Sequence, residues 1–565
     1  MQMETGKIDP ADSPSEAIPA VRALAHELMR LRLERGLSLR KLARLVGMTA
    51  HSGLVDYERG SRIPPGDLMS GLVGVLKPSD DRLTHLYRAA VAERVRRRMA
   101  GAIQHRTDVA VAALDVGAGT DRLVTADADA PVAKAANGAP LSGRQRSERA
   151  YRLAEQAGEP VGMGVAALGL NGFWVHECRT AVGSALLQAR LEHALSLVEP
   201  QSSLALRLRI RLAGETDYRT GEHDAILASL DEARSLPDPV ARMEALNLAH
   251  QCLLGPDHGT LRRSLALEMV NESLRTGNRG DLLSGLLWQT VDALIEADPH
   301  ARRLLTELRH LLEPGSHRAV ESVAGAIEVM LTIRSGRFDE AEALARVCAE
   351  RGRAAGDINA AGWHGTHLVA IRWFQGRLPQ LLPTLRAMVH SPKLSAVDNS
   401  CLAALAVAAA LAGSRREAAG ALATLCGSGL AQLPRSSTWL ATMGGIAEAA
   451  ALLDDVDTCA RAYELLQPFA HLPMMPGPGV ACFGSVHHSL GVAALTMGQA
   501  DRSAAHLRAA VNGNLAIAHW PAAMISRVRY AEALSRRARP GDETAAEREL
   551  ATAAEEAAAI GVALP

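Results

Sequence analysis

The chain has 565 residues, room for roughly three or four ordinary domains, and a formal net charge of −1, which excludes a protein that coats nucleic acid along its whole length. Apolar residues make up 48% and aromatics only 3%, so the core is built from Ala, Leu and Val; this favours helices packed through small side chains over a β-sandwich or barrel. Seven cysteines, none closer than 23 positions to the next, exclude finger-type zinc spacing and a disulfide framework.

The start, Met-Gln-Met-Glu-Thr-Gly-Lys, lacks the basic and apolar regions of a signal peptide, and residues 1–17 read as disordered. From Val21 to Ala100 there are 16 Arg/Lys against 8 Asp/Glu, so this segment carries +8 and the remaining 485 residues about −9. Such segregation marks a nucleic-acid-binding end joined to something else. Within it, Pro19 opens a helix with Val21, Leu24, Leu28 and Leu31 on one face, ended by Gly36. Ser38 caps a second helix, Leu39 to Val46, with Arg40, Lys41 and Arg44 outward. After the Gly47 turn a third helix runs from Ala50 or Ser52 to Arg59, anchored by Leu54 and Tyr57. Helices around Pro65–Leu76 and Ser79–Arg97 complete a five-helix unit over residues 18–100.

The run from Gly36 through Leu-Ser-Leu-Arg-Lys-Leu-Ala-Arg-Leu-Val to Gly47, then Ser52 to Gly60 with its Tyr-Glu-Arg-Gly ending, and Arg62-Ile-Pro64, closely resembles the lambda-repressor-like (Xre-type) helix-turn-helix domain. The resemblance implies that the third helix enters the major groove of double-stranded DNA by its N-terminal end. Thr49, Ala50, His51, Ser52 and Asp56 are then the base-facing candidates, and Arg40, Lys41, Arg44, Arg59 and Arg62 the phosphate candidates. Between Gly47 and Leu54 the chain has one residue more than the common pattern, which leaves the register of the base contacts open by one.

Residues 101–145 lose all periodicity; Asp115 to Pro140 is Gly, Ala, Asp and Thr with hardly a large apolar residue, the composition of a flexible linker. From residue 146 to 565 helical periodicity is continuous. Corner units recur at Gly336, Gly376, Gly413, Asp454 and Gly498, with steps of 40, 37, 41 and 44 residues and an earlier copy at Gly221. A period near 40 with such corners is the mark of stacked helical hairpins. The copy Leu490, Gly491, Ala494, Gly498, Ser503, Leu507 and Ala510 matches the small and large positions of a tetratricopeptide repeat. The fold class expected is therefore all-α: a helix-turn-helix domain, a linker and a tetratricopeptide-like α-solenoid.

Segments such as Leu253–His258, Trp439–Met443, Ala462–Phe469 and Leu490-Gly491 also resemble the C-terminal helical region of large actinobacterial regulators that carry an ATPase module. The chain has no G-x-x-x-x-G-K-[ST], so that resemblance implies a sensor or docking scaffold without ATP hydrolysis. No His-Glu-x-x-His or Gly-x-Ser-x-Gly is present, and His364-Gly-Thr-His367 has no nearby carboxylate to complete a metal set. The expectation is a non-enzyme with no cofactor or metal.

Fifteen of the seventeen aromatics follow residue 150. Trp363, Trp373, Trp439 and Trp520 mark a groove for a ligand or partner if the solenoid is concave there, or fill gaps in an alanine-rich core if it is not. Met474-Met-Pro-Gly-Pro-Gly479 interrupts two helices and reads as a flap or a plain long loop. The longest apolar run, Cys401 to Ala412, is too short and alanine-rich to span a bilayer, and with the unpaired cysteines this predicts a cytoplasmic protein. The function expected is a sequence-specific transcriptional regulator, a homodimer whose repeats sense a small molecule, a peptide or a protein. The alternative is an adaptor that binds a protein through its repeats, with a helix-turn-helix that does not read specific DNA.

Overall fold

The computed structural model describes residues 20–48, 50–78, 82–90, 143–170, 180–312, 317–354, 357, 359–391, 397–560 and 564. The start at 1–17, Thr49 and the expected linker as far as residue 142 lie outside the described residues. Contacts divide the chain into two compact units, Met1–Ala118 and Gly119–Pro565. Regular structure among the described residues is helical throughout, with one isolated antiparallel bridge, Pro473 to Ser485.

In the first unit, α1 (Ala20–Glu34), α2 (Leu39–Leu45), α3 (Ser52–Glu58), α4 (Gly66–Leu76) and α5 (residues 82–90) follow the apolar spacing of the sequence. Leu24, Leu28 and Leu31 of α1 close on Leu42 of α2, Leu54 and Tyr57 of α3, Leu72 and Leu76 of α4, and Leu83 of α5. Ser38 Oγ accepts Lys41 N at 3.2 Å, satisfying one of the free amides at the start of α2. Gly47, at φ +74°, makes the turn between α2 and α3 in a conformation that would strain any residue with a Cβ. Below the surface Arg32 of α1 grips Glu58 at the end of α3 with two bonds, 2.6 and 2.8 Å, and donates a third to Leu37 O. One guanidinium thus fixes α3 against α1 and the loop before α2.

The second unit is a series of helical hairpins from Gly143–Ala157 to Asp542–Ile560. Every corner unit of the sequence period is a helix end in the left-handed region: Gly221, Gly336, Gly376, Gly413, Asp454 and Gly498 all have φ between +60° and +79°. The first helix of most hairpins also packs on the first helix of the next, for example Ser400–Leu411 on Trp439–Leu453 and Trp439–Leu453 on Val486–Thr496. These first helices form an inner layer and their partners an outer one. At Val486–Thr496 the approach is close: Leu490, Ala494, Leu507 and Ala510 are fully buried, and Ser503 Oγ donates to Gly491 O at 2.8 Å. A Cβ on Gly491 would collide with Leu507 Cγ. Gly491→Ala is expected to lower stability by about 1–3 kcal/mol through overpacking, read as a shift of the urea midpoint with unchanged slope.

Residues 472–485 depart from the repeat pattern. The sequence suggests a flap or plain loop; the structure buries the segment inside the layer of first helices, with Pro473, Met474, Met475, Pro476, Val480, Ala481 and Cys482 all covered. Its two arms pair through Met474 N to Gly484 O at 2.7 Å and Phe483 N to Met474 O at 2.9 Å. Four further backbone groups are met from afar. Gly477 N donates to Ser437 O, Ser485 N to Asn514 Oδ1, and the imidazoles of His367 and His519 donate to Val480 O and Cys482 O. A buried turn is stable only when its amides and carbonyls are so satisfied. This hairpin joins the cores of distant repeats: Met475 and Cys482 pack in the cluster containing Trp288 and Leu294, and Ala481 in the one containing Phe374 and Met524.

Candidate functional site

Two surfaces could carry function, one in each unit. In the first, Ala50, His51 and Ser52 are exposed at the entry to α3, and Asp56 is half-buried. Arg40, Lys41 and Arg44 are exposed on α2, with Arg59 and Arg62 exposed just beyond α3. Asp56 lies 3.9 Å from Arg62, so any base contact by this carboxylate competes with its own arginine. Leu54 and Tyr57 face the core and Glu58 is held beneath the surface by Arg32, which leaves Ser52 exposed and Val55 and Asp56 half-buried. The surface therefore offers a short polar helix end amid positive charge, the combination that places hydrogen-bonding groups near bases and guanidinium groups near phosphates.

In the second unit, a cavity of about 510 Å³ opens inside the layer of first helices. Its room comes from small residues at helical spacing: Gly362 and Gly365 on Ala360–Phe374, Ala404 on Ser400–Leu411, and Ala441, Gly444 and Gly445 on Trp439–Leu453. The buried hairpin supplies one wall through Met474, Pro478, Val480 and Phe483. Its seat depends on the same small residues, because a Cβ on Gly444 would press into Met474 Sδ.

The four tryptophans separate. Trp363 and Trp373 line this cavity. Trp439 is buried in the repeat core, edge-on to Phe469 at 5.5 Å with the Arg435 guanidinium 5.4 Å over its ring, while its neighbours Ser437 and Thr438 reach the cavity. Trp520 begins the helix Trp520–Arg537 and is 42% exposed, away from the lining. Phe483, one of the aromatics after residue 150, and His488, adjacent to His487 and with it a poor chelating pair by sequence, line the cavity together with Glu448, which the sequence did not single out. Of the His364/His367 pair, His367 is buried against the hairpin. Among the described residues no group of three or more His, Cys, Asp or Glu is placed to hold a metal ion. No described helix is long and apolar enough to cross a membrane.

Residues 28–78 match the family model described as helix-turn-helix, so the first unit contains a helix-turn-helix domain. No curated protein matches the chain. Among solved structures the chain is similar to Bacillus thuringiensis PlcR, in a crystal structure with the peptide PapR7 and DNA. The identity is 12% and the TM-score 0.26, over 54% of this chain and 99% of that one.

Proposed function

We propose that this chain, with its helix-turn-helix domain at residues 28–78, is a sequence-specific DNA-binding transcriptional regulator. The observation that carries the reading is that the domain leaves the entry to α3 exposed between Arg40, Lys41 and Arg44 on one side and Arg59 and Arg62 on the other. In this reading Ala50, His51 and Ser52, with Thr49 and Asp56, face base edges, and the basic residues hold phosphates. The helical repeats receive the signal, from a small molecule, a peptide or a partner protein, and hold two copies together so that two domains engage half-sites about one helical turn apart. The protein works in the cytoplasm, where the DNA is, and no catalytic step is assigned to it.

Selection of bound duplexes from a random library, followed by footprinting, tests this. A defined motif supports it; binding with no sequence preference at any salt concentration would leave the adaptor reading standing. On a selected site, Arg40→Ala and Arg44→Ala are each expected to weaken binding alike on all sequences and to reduce the slope of log K against log salt by about 0.9. His51→Ala is expected to relax discrimination at one base pair, by about 1–3 kcal/mol. Identical behaviour of the arginine and histidine variants across many sites would remove α3 from the groove.

A further inference from the structure

One end of the repeat cavity is furnished with acceptors. His488 Nδ1 and Asn514 Nδ2 both meet Ser526 Oγ, at 3.0 and 3.1 Å, and that hydroxyl donates to Ala522 O at 2.8 Å. A hydroxyl has one proton. We assign it to that carbonyl, so that His488 Nδ1 donates and Nε2 holds the lone pair of a residue on the cavity wall. Burial keeps the imidazole neutral, with its pKa pushed down to about 4. Glu448 lines the cavity nearby, on a helix packed against that of His488, and accepts one bond from Arg529 at 3.2 Å. The protein's own donors at this end are engaged: Arg529 on Glu448 and Glu532, Asn514 Nδ2 on Ser526. Elsewhere the wall is mostly apolar, with Trp363, Trp373, Val369 and Phe483, interrupted by Asn359, Thr366, Ser400, Ser437 and Thr438. Its charged residues are Glu215, Asp398 and Glu448 against the single arginine Arg219.

We propose that this cavity is a receptor site for a hydrophobic organic ammonium, whose N–H groups donate to the Glu448 carboxylate and His488 Nε2 while its aromatic or polycyclic body lies among Trp363, Trp373 and Phe483. The inference deepens the signal-receiving part of the proposed function by naming the ligand class. A cavity of about 510 Å³ is of the size that encloses one drug-sized molecule. Indole walls favour a cation over a neutral group, and the acidic lining disfavours an anion. An extended peptide finds less to bind, because residues 472–485 of the chain itself already lie within the inner layer, paired with each other and with His367, Ser437, Asn514 and His519.

The test uses the full chain and three matched probes: 1-naphthylmethylamine, 1-naphthylmethanol and 1-naphthoic acid, at neutral pH, by calorimetry and tryptophan fluorescence. The amine is expected to bind about tenfold or more tightly than the alcohol, the difference a charge-assisted hydrogen bond supplies, and the carboxylate not measurably. Glu448→Gln should erase the advantage of amine over alcohol while leaving the alcohol affinity in place. Since that variant also disturbs Arg529, a second one is informative. Gly365 lines the cavity and has only the Met388 thioether near its missing Cβ, at 3.7–3.8 Å, so Gly365→Leu starts a side chain from the cavity wall at a point where its Cβ meets no backbone. It should abolish binding of both amine and alcohol with the melting temperature retained. Binding of the carboxylate as tightly as the amine, no binding of any probe at millimolar concentration, or tighter binding by linear peptides than by the amine would each overturn the proposal. DNA binding measured on the same samples separates the two ideas: selective amine binding without DNA binding would sink the regulator reading alone, and the reverse result would sink this one.

Discussion

Glu58→Ala is expected to unfold the helix-turn-helix domain or bring it close to unfolding. The Glu58 carboxylate takes both bonds of the Arg32 fork, and the side chains of the pair are only 10% and 11% exposed. Removing the acid leaves a guanidinium buried with the Leu37 carbonyl as its one remaining partner. Breaking a buried pair from one side costs about 3–5 kcal/mol, whereas a domain of this length holds only about 4–11 kcal/mol in total. Hydrogen exchange at the amides of α1 to α3 in the full chain should rise by two or more orders of magnitude, and DNA binding should fall with it because α3 loses its seat. Glu34→Gln serves as the control. Its partner Arg30 is 49% exposed and Glu34 itself 54%, so that change should stay within about 0.5 kcal/mol. Equal protection in the two variants would show that the Arg32–Glu58 pair does not hold the domain together.

The repeat unit is expected to lose stability steeply between pH 7 and pH 5. Burial pushes the imidazoles of His367 and His488 down to about 4 and that of His519 to about 3. His519 shows why in atoms: Nε2–H donates to Cys482 O, while Nδ1 accepts Ala522 N at the start of a helix, so a second proton has no place to go. In the unfolded chain all three titrate near 6.5. Below that pH the unfolded state takes up protons that the folded state refuses, so folding stability falls as pH drops, until the folded values are reached near 4 and 3. Each histidine contributes a loss of roughly 2 kcal/mol from pH 7 to 5, about 6 kcal/mol together. Asp292 extends the loss to more acid pH: burial raises its pKa, but His250 and Arg262 hold it below the ordinary carboxylate value. Asp217 and Asp357 work the other way, because burial raises theirs. Urea midpoints at pH 7, 6 and 5 give the measurement, and a flat profile would contradict it. His367→Gln keeps a donor for Val480 O without a titrating ring and should flatten the profile by about a third.

Local chemistry was legible in the sequence and long-range placement was not. Corner residues such as Gly336, Asp454 and Gly498 announce themselves because a left-handed helix end selects residues that tolerate it. The landmarks of α2 and α3 are legible for the same reason: Ser38, Gly47, Tyr57 and Gly60 each answer a need within a few residues. Indole positions carry no such signal. Trp363 and Trp439 both lie on first helices, yet one lines the cavity and the other packs edge-on against Phe469 at the end of its own hairpin. Residues 472–485 look like any Gly/Pro-rich loop because the partners that bury them, His367, Ser437, Asn514 and His519, come from four different helices or connections.

That hairpin also governs the order in which the chain can be completed during synthesis. A solenoid held by nearest neighbours can close each repeat as it leaves the ribosome. Here His367 bonds a carbonyl 113 residues later, Asp257 an arginine 178 residues later, and helix Arg318–Arg334 packs on Trp520–Arg537. Until those segments emerge, the clusters of Leu294, Ile333 and Phe374 lack the part of their cover that Met475, Cys482, Ala481, Ala522 and Met524 supply. Non-local closure of this kind is slow, and it exposes nascent chains to chaperones and proteases while it waits. A stop codon anywhere before residue 472 would therefore be expected to deplete the protein from the cell, leaving no shorter but serviceable solenoid, and codon choice near the end of the message would bear on yield more than codon choice near its start.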